Sequence, residues 1–358
     1  MKKKILHVSY SKEFAGYGEA ARTDLAALYN SELDCTARAY ELKPSVENDI
    51  VKEMEARPLD GTTHVIQYLV PSHWERFPGV KNIGYFEVES DDLSYSIWPE
   101  CIHHVDEIWV PNHNARKTVS KITSLPVHVV PHAVDKTVYE KKYPPVKVQQ
   151  HPCDYFFYAV AENVPRKNLA NLIACYFIEF DPTEPVSLMI KTSSNLDKMI
   201  TSIQNRIKLY PKTEDYKQVA VIDQPISSDQ LYGMHQSNHC YVNSSMGESW
   251  CLPLVDAIGF NKTIITIDVG GPRDIIQNIK SYKEKVYTVD SIKTWCEGHT
   301  NFPGLQNGRD TWRMFDTAQM RQSMRAAYNS RNSKKTISHT IDRYSFENYV
   351  ARVNELCN

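Results

Sequence analysis

The stretch Asn243 to Asp256, NSSMGESWCLPLVD, sets two acids, Glu248 and Asp256, on either side of a short loop. The run His239 to Val242 before it reads as a strand, and Pro253-Leu254-Val255-Asp256-Ala257-Ile258 reads as the first turns of a helix. Proline is favoured near a helix start because its missing N–H has no intrahelical partner there. The loop Gly247 to Leu252 is therefore expected to present backbone N–H groups at a helix N-terminus, with Ser249, Trp250, Cys251 and Leu252 contributing. Aligned amides and the helix dipole bind anions at such a place, phosphate above all. Acids beside an anion site do not hold the phosphate; they accept hydrogen bonds from hydroxyl groups. An anion cradle between two hydroxyl acceptors suits a nucleotide-sugar. An ordinary strand–loop–helix with two solvated acids would look the same in isolation, so other stretches have to decide.

Two of them carry related chemistry. The loop Ser11 to Gly18, SKEFAGYG, lies between a strand and a helix and holds Gly16, Tyr17 and Gly18. Strand, glycine-containing loop and helix is an arrangement that cradles phosphate, although two glycines also suit a plain turn. Arg166-Lys167 sits just before a second helix start. Positive charge there opposes the helix dipole. A phosphate ligand would account for it, as would simple solvation of the pair.

The elements that must position these residues alternate. Strand-like runs fall at Lys4–Ser9, Cys35–Tyr40, His64–Val70, Asn82–Phe86, Glu107–Val110 and Val127–Val130, with helical patterns at about Glu19–Tyr29, Glu47–Ala56 and Asn114–Ile122. The segment from Tyr143 to Pro152 is proline-rich and aperiodic, and reads as an inter-domain linker. The alternation then restarts: strand Tyr155–Val160, loop Ala161–Asn168, helix Leu169–Phe180, strand Val186–Ile190, helix Leu196–Leu209 and strand Val219–Ile222. Ser227 and Gln230 form a capping box for the next helix, and after the acid-bearing loop comes strand Thr263–Ile267. A last helix spans about Ser345 to Leu356. Such alternation argues for parallel sheets, which bind ligands at the carboxyl ends of their strands.

Bulk properties narrow the class. At 358 residues the chain is too long for one ordinary α/β core, so two domains are expected. A net charge of −2 gives no global reason to bind nucleic acid. No apolar run approaches a membrane span, and the apolar stretch after Met-Lys-Lys-Lys ends too early, at Ser9-Tyr10-Ser11-Lys12, for a signal peptide. The eight cysteines include no C-x-x-C pair, which makes structural zinc improbable and points to reduced thiols and a cytoplasmic location.

Glu248, seven residues and then Asp256, with Leu252-Pro253 between, resembles the E-x7-E signature of retaining glycosyltransferases of family four, which have the GT-B fold. The family's segment usually reads E-G-F-G-L-P-x-x-E; here Ser249 and Cys251 replace its glycines, Trp250 its phenylalanine and Asp256 its second glutamate. Tyr158 to Asn168, YAVAENVPRKN, is similar to the family's loop after the first strand of the C-terminal domain. The resemblance implies that Lys167 holds the donor diphosphate. Ala161 stands where a further arginine is usual, which leaves Arg166 or a cation from elsewhere as the second. It implies that Glu248 binds donor-sugar hydroxyls and Asp256 the ribose, with Gly16, Gly18, Lys191 and Thr192 also on the donor side. Ile83 to Asp91, IGYFEVESD, resembles the segment facing sugar and acceptor, where many relatives carry a histidine; Glu87 and Glu89, with Tyr17, are the candidates to orient a hydroxyl. EIWVPN at Glu107–Asn112 and VVPHAVD at Val129–Asp135 look like architectural markers.

The fold so implied is α/β, with two Rossmann-like domains facing across a cleft (GT-B type): 1–147 for the acceptor, 148–340 for the nucleotide-sugar, and a helix in 341–358 crossing back to the first. The activity so implied is transfer of a hexosyl or related sugar with retention, the leaving phosphate accepting the acceptor's proton. This requires no cofactor and no metal, and no D-x-D motif is present. A UDP-sugar donor is expected in preference to a GDP-sugar. The acceptor is expected to be a glycan or lipid-linked glycan. The alternative is a hydroxymethylated DNA base, with Arg116, Lys117, Lys121, Lys141, Lys142 and Lys147 as phosphate contacts. Two other functions compete. A dinucleotide oxidoreductase lacks its G-x-G-x-x-G. A sugar-nucleotide-binding protein without turnover fits the lost loop glycines.

Overall fold

Strands buried on both faces carry near-continuous apolar runs, and this chain folds such runs into two parallel sheets. The structure, a computed structural model, describes residues 3–14, 16–41, 46–146, 153–277, 285–297, 304–333 and 341–358. Two compact units result. The described residues up to Lys136, with 304–311 and 341–358, form the first; those of Thr137–Glu297, with 312–333, form the second.

The first unit is built from β1 (Lys4–Ser9), α1 (Gly16–Tyr29), β2 (Asp34–Ala39), α2 (Asp49–Glu55), β3 (His64–Tyr68), β4 (Lys81–Tyr85), α3 (Trp98–Cys101), β5 (Glu107–Val110), α4 (His113–Val119) and β6 (Val127–Val129). The strand order is β2-β1-β3-β4-β5-β6, with Ile5 opposite Cys35 on one side and His64 on the other. The chain leaves β1 for β2 on one side and returns to β3 on the other, so a topological switch point lies between β1 and β3. Helix α1 buries Ala20, Ala21, Leu25 and Leu28; full burial of each leucine stabilises by about 1.5–3 kcal/mol. Asp24 lies on the same buried face and is fully buried. Asn48 and Asn112 cap α2 and α4 by accepting from Val51 N and Ala115 N.

The second unit comprises β7 (Tyr155–Val160), α5 (Leu169–Glu179), β8 (Val186–Lys191), α6 (Asp197–Ile207), β9 (Val219–Ile222), α7 (Ser228–Ser237), β10 (Cys240–Val242), α8 (Leu252–Gly259), β11 (Thr263–Ile267), α9 (Gly270–Gln277) and β12 (Val286–Val289). A small ladder of β13 (Ser291–Trp295) and β14 (Thr311–Phe315) follows, then α10 (Thr317–Asn329). The main sheet runs β12-β11-β10-β7-β8-β9. Its switch point lies between β7 and β10, where the chain, having moved outward through β8 and β9, returns to the other side of its first strand. The capping box of Ser227 and Gln230 is present on α7. The chain ends in α11 (Phe346–Leu356), which belongs to the first unit and packs on α1.

Two differences from the sequence reading stand out. Tyr143 and Pro144, read as linker, pack on α7: the Tyr143 ring lies 5.2 Å from that of Tyr232, and a Cβ on Gly233 would sit 2.0 Å from the Pro144 carbonyl oxygen. The rest of that segment, from Lys147 at the expected boundary to Pro152, lies outside the described residues. Residues 304–311, placed by the sequence reading in the second domain, belong to the first unit, where the Trp98 indole donates to Leu305 O at 2.6 Å.

Candidate functional site

Each unit carries a polar centre. In the second unit, β7 runs into a 3-10 turn, Pro165–Lys167, which Asn168 closes in the left-handed conformation (φ 54) ahead of α5. The neighbouring β10 runs into the loop bearing Glu248. Met246 N donates to Arg166 O at 2.7 Å and the Ser244 hydroxyl to Lys167 O at 2.7 Å, so backbone bonds hold the two loops together. Their side chains then meet. Lys167 Nζ lies 2.5 Å from Glu248 Oε1, Arg166 lies 3.5 Å from Oε2, and the Arg166 guanidinium donates to Gly247 O at 2.5 Å. Glu248 is 8% exposed and its cations 18% and 16%. Burial pushes the Glu248 carboxyl up, but Lys167 and then Arg166 outweigh it and hold it below the usual range. Two cations on one carboxylate leave the centre with a surplus positive charge.

The backbone of this loop is tightly packed. Gly271 N donates to Glu248 O at 2.9 Å. Gly270 adopts φ +61, and a Cβ there would meet Glu248 O at 2.3 Å, so α9 can begin against the loop only on glycine. Cys251 caps α8 at φ 71, the left-handed conformation, without a side-chain cap. Among the described residues the N–H groups of Cys251 and Leu252 donate to nothing, which agrees with amides presented at a helix start. Ser249 and Trp250 are buried beside them. Asp256, one turn into α8, accepts from the Tyr139 hydroxyl at 2.9 Å and lies 3.8 Å from His235 Nε2. Burial holds His235 near 3, and it is therefore neutral. Lys191 ends β8, the strand next to β7, and turns its Nζ onto Thr192 O at 2.6 Å; the Thr192 hydroxyl is buried without a partner among the described residues. Burial, opposed by Glu162 and Asp223, lowers the Lys191 ammonium.

Gly16, Tyr17 and Gly18 belong to the first unit, at the start of α1. Gly18 is sterically required, since a Cβ would lie 2.0 Å from Glu13 O, whereas Gly16 faces open space. The first unit's polar centre joins a predicted residue to two that the sequence reading missed. Glu87 Oε1 lies 2.6 Å from His132 Nε2, and His132 Nδ1 lies 2.7 Å from Asp24 Oδ2. Tyr68 donates to Glu87 Oε1 at 2.8 Å, and Glu87 N donates to Tyr17 Oη at 3.1 Å. Burial pulls the His132 imidazole down, but Asp24 and Glu87 outweigh it and raise it to about 10. Glu89 is half-buried. Asp24 carried a legible signal, an acid among Ala20, Ala21, Ala27 and Leu28 at helical spacing, because a charge on an apolar stripe requires a partner. His132 lay in a segment read as purely architectural.

Of the basic residues considered for DNA, Arg116, Lys117 and Lys121 belong to the first unit, Lys141 and Lys142 to the second, and Lys147 lies outside the described residues. No helix among the described residues is long and apolar enough to cross a membrane.

No protein-family model matches the sequence, and no curated protein matches it. Solved structures do match the fold. The lipopolysaccharide outer core galactosyltransferase WaaB in its apo form superposes with a TM-score of 0.62 at 14% identity, covering 99% of this chain and 98% of that one. The sucrose-phosphate synthase of Thermosynechococcus elongatus gives 0.64 at 10% identity over 99% and 98%. The pneumococcal O-GlcNAc transferase GtfA, in complex with UDP and GlcNAc, gives 0.52 at 12% identity over 82% of this chain and 56% of that one. Two Rossmann-like units with these strand orders and these structural neighbours identify the fold as GT-B.

Proposed function

We propose that this chain is a glycosyltransferase that moves a sugar from a nucleotide-diphosphate sugar, a UDP-sugar in preference to a GDP-sugar, to an acceptor hydroxyl on a glycan or lipid-linked glycan. The observation that carries the reading is the meeting of Arg166, Lys167 and Glu248 at the β7/β10 switch point of a GT-B fold. The surplus positive charge beside the amides of Cys251 and Leu252 suits a diphosphate, and Glu248 suits a hydroxyl. Three of the structural neighbours are named for sugar transfer or sugar-phosphate synthesis, and one is complexed with UDP, which supports the donor class.

In the reaction the bond from the anomeric carbon to the diphosphate oxygen breaks, and a bond from that carbon to the acceptor oxygen forms. Negative charge grows on the leaving diphosphate, where preorganised donors contribute most; Lys167 and Arg166 meet it there. The acceptor's proton passes to the leaving phosphate on the same face, so configuration is retained and no protein nucleophile or metal ion is required. Asp256, held by Tyr139, is assigned to the donor's ribose. Incubation with a panel of nucleotide-sugars tests the reading, with mass spectrometry on protein-bound donor and on polysaccharide, lipid and hydroxymethylated DNA acceptors. Donor consumption with a new glycosidic product on glycan or lipid is the expected result; binding without turnover would reduce the protein to a sugar-nucleotide carrier.

A further inference from the structure

The row Asp24–His132–Glu87 is not used by the proposed chemistry at the cation centre. Burying ionised groups costs several kcal/mol each unless they are paired and hydrogen-bonded, and here the pairing is complete at one end only. A neutral imidazole owns one N–H and would turn a lone pair toward one of the two carboxylates; the doubly protonated ring donates to both. Both oxygens of Asp24 have a partner, because Oδ1 accepts from Ala133 N at 2.8 Å while Oδ2 takes His132. Glu87 differs. Its Oε1 takes both His132 and the Tyr68 hydroxyl, and its Oε2 has no hydrogen-bond partner among the described residues. Side-chain exposure runs from 0% at Asp24 and His132 to 11% at Glu87, so the row has a closed end and an open one.

The open end is aromatic. The Tyr17 ring stacks on Tyr68 at 4.9 Å, and Tyr10 meets Tyr17 edge-on at 5.7 Å. These side chains come from the segments that follow or end β1 and β3, the two strands of the switch point. Tyr68 and Tyr10 are buried and Tyr17 is half-buried, so what the open end offers a small polyhydroxy ligand is a placed carboxylate oxygen that accepts one O–H, beside the partly accessible Tyr17 ring.

We propose that Asp24 and His132 are positioning residues, which fix Glu87 so that its Oε2 accepts a hydrogen bond from a hydroxyl of the sugar acceptor beside Tyr17. The word acceptor rests on the proposed function; the row itself does not. A carboxylate tied to an imidazolium and a phenol is a weak base, so Glu87 orients the hydroxyl and does not take its proton. Around His132, Tyr68 and Tyr85 are neutral phenols, His7 on β1 is held near 3 by burial and by His132, and Tyr17 and Tyr349 stay protonated because burial raises them. Burial also pushes the Asp24 carboxyl up, against the pull of His132.

Three measurements on the full chain test this. Imidazole ¹H–¹⁵N correlation spectra without substrate, from about pH 5 to about pH 9, should show His132 doubly protonated throughout in the wild type and titrating within the range in Glu87→Gln; a neutral ring at pH 8 in the wild type would overturn the row. In turnover, Glu87→Gln and His132→Gln should each raise the acceptor KM about tenfold or more, as expected for a lost hydrogen bond to a charged group. The kcat pH profile should keep its acid limb. Unchanged acceptor KM, or the loss of an acid limb from kcat in Glu87→Gln, would refute the positioning role. Saturation-transfer spectra with methyl α-glucoside and methyl α-galactoside should show contact in the wild type and lose it in Glu87→Gln. A wild type that turns over no donor would remove the proposed reaction, and the sugar contact at Glu87 would then be decided by these spectra alone.

Discussion

The two polar centres are charge inversions of each other. In the first unit a cation, His132, lies between two acids, Asp24 and Glu87; in the second an acid, Glu248, lies between two cations, Lys167 and Arg166. The second occupies the switch point of its parallel sheet, where the loops after adjacent strands diverge and leave a crevice, while the first joins α1 to the segments that follow β4 and β6. The remainder differs. One centre ends with a spare carboxylate oxygen and the other with a spare positive charge. Neutral hydroxyls suit the first and phosphates the second, so a division between acceptor and donor chemistry is written in the residual charge of each buried row.

The strongest way to break that comparison is to cancel the surplus in the second unit. Lys167→Met keeps the bulk and removes the charge, leaving Arg166 and Glu248 balanced. Turnover should fall on the order of a hundredfold or more at saturating donor, as for loss of an oxyanion-hole donor, and chelation of the wild type should leave turnover unchanged. Glu248→Ala pushes the charge the other way, by removing the acid that both cations share. Transfer should be abolished while donor phosphate binding, measured by calorimetry with UDP, is kept or strengthened. Full turnover in either variant would remove that residue from the site.

A smaller effect is expected at Asp256, which lies one turn along α8 from the cation centre. Asp256→Ala should raise the donor KM about tenfold with kcat nearly unchanged, because a lost hydroxyl contact removes binding common to ground and transition states. The Tyr139 hydroxyl, which loses its acceptor, makes Tyr139→Phe the control: it should keep the donor KM. Lowered kcat at constant KM would contradict the ribose assignment.

The comparison also predicts different pH limits for stability. His7 and His235 sit near 3 in the folded chain, below their ordinary 6.5, so the unfolded state binds more protons as pH falls, and stability is lost from about 6.5 downward. Glu248, held low by its cations, adds to the same acid-side loss. His132 works in the opposite sense. Raised to about 10, its contribution is complete below 6.5 and fades as pH rises toward 10. Melting temperatures measured across this range should fall on both sides for the wild type, and His132→Gln should flatten the alkaline fall only. An alkaline slope that survives the substitution would assign it to other groups.

How much of this was legible depended on range in the sequence. The strands Tyr155–Val160, Val219–Ile222 and Thr263–Ile267 were readable to the residue, because the runs are apolar, aromatic or β-branched throughout and every residue is buried or half-buried. The start of α1 was read late, at Glu19 and not Gly16, because glycine is a poor helix former and Gly18 serves a close backbone approach. The elements after Ile267 were largely missed. α9 opens on Gly-Gly-Pro, a turn signal, and β13 is mostly exposed, so neither shows a period. In the sites, local motifs showed Glu248, Lys167 and Arg166, each beside a strand end. The row in the first unit joins residues 108 and 45 positions apart, and no spacing rule encodes such a meeting.

The smallest expected effect is at Cys251, where the second unit departs from the glycine-bearing loop it resembles. Its φ of 71 is a left-handed conformation that costs a side-chain-bearing residue about 1–2 kcal/mol. Glycine would relieve that strain. It would also forfeit a buried side chain that approaches the Tyr241 hydroxyl through Sγ at 3.6 Å, and it would add about 0.5–1 kcal/mol of backbone entropy to be lost on folding. These terms nearly cancel, so Cys251→Gly alone should change stability by less than about 1 kcal/mol. Cys251→Ala separates them, because it loses the same thiol and keeps the strain. The glycine variant should therefore be the more stable of the two by about 1 kcal/mol, a difference of a few degrees in Tm. Equal stabilities would mean that the loop relaxes out of the left-handed region when the thiol is removed. The N-terminus of α8 would then be held by Cys251 itself, and not by the packing of Gly270 and Gly271 against Glu248 and Ser249.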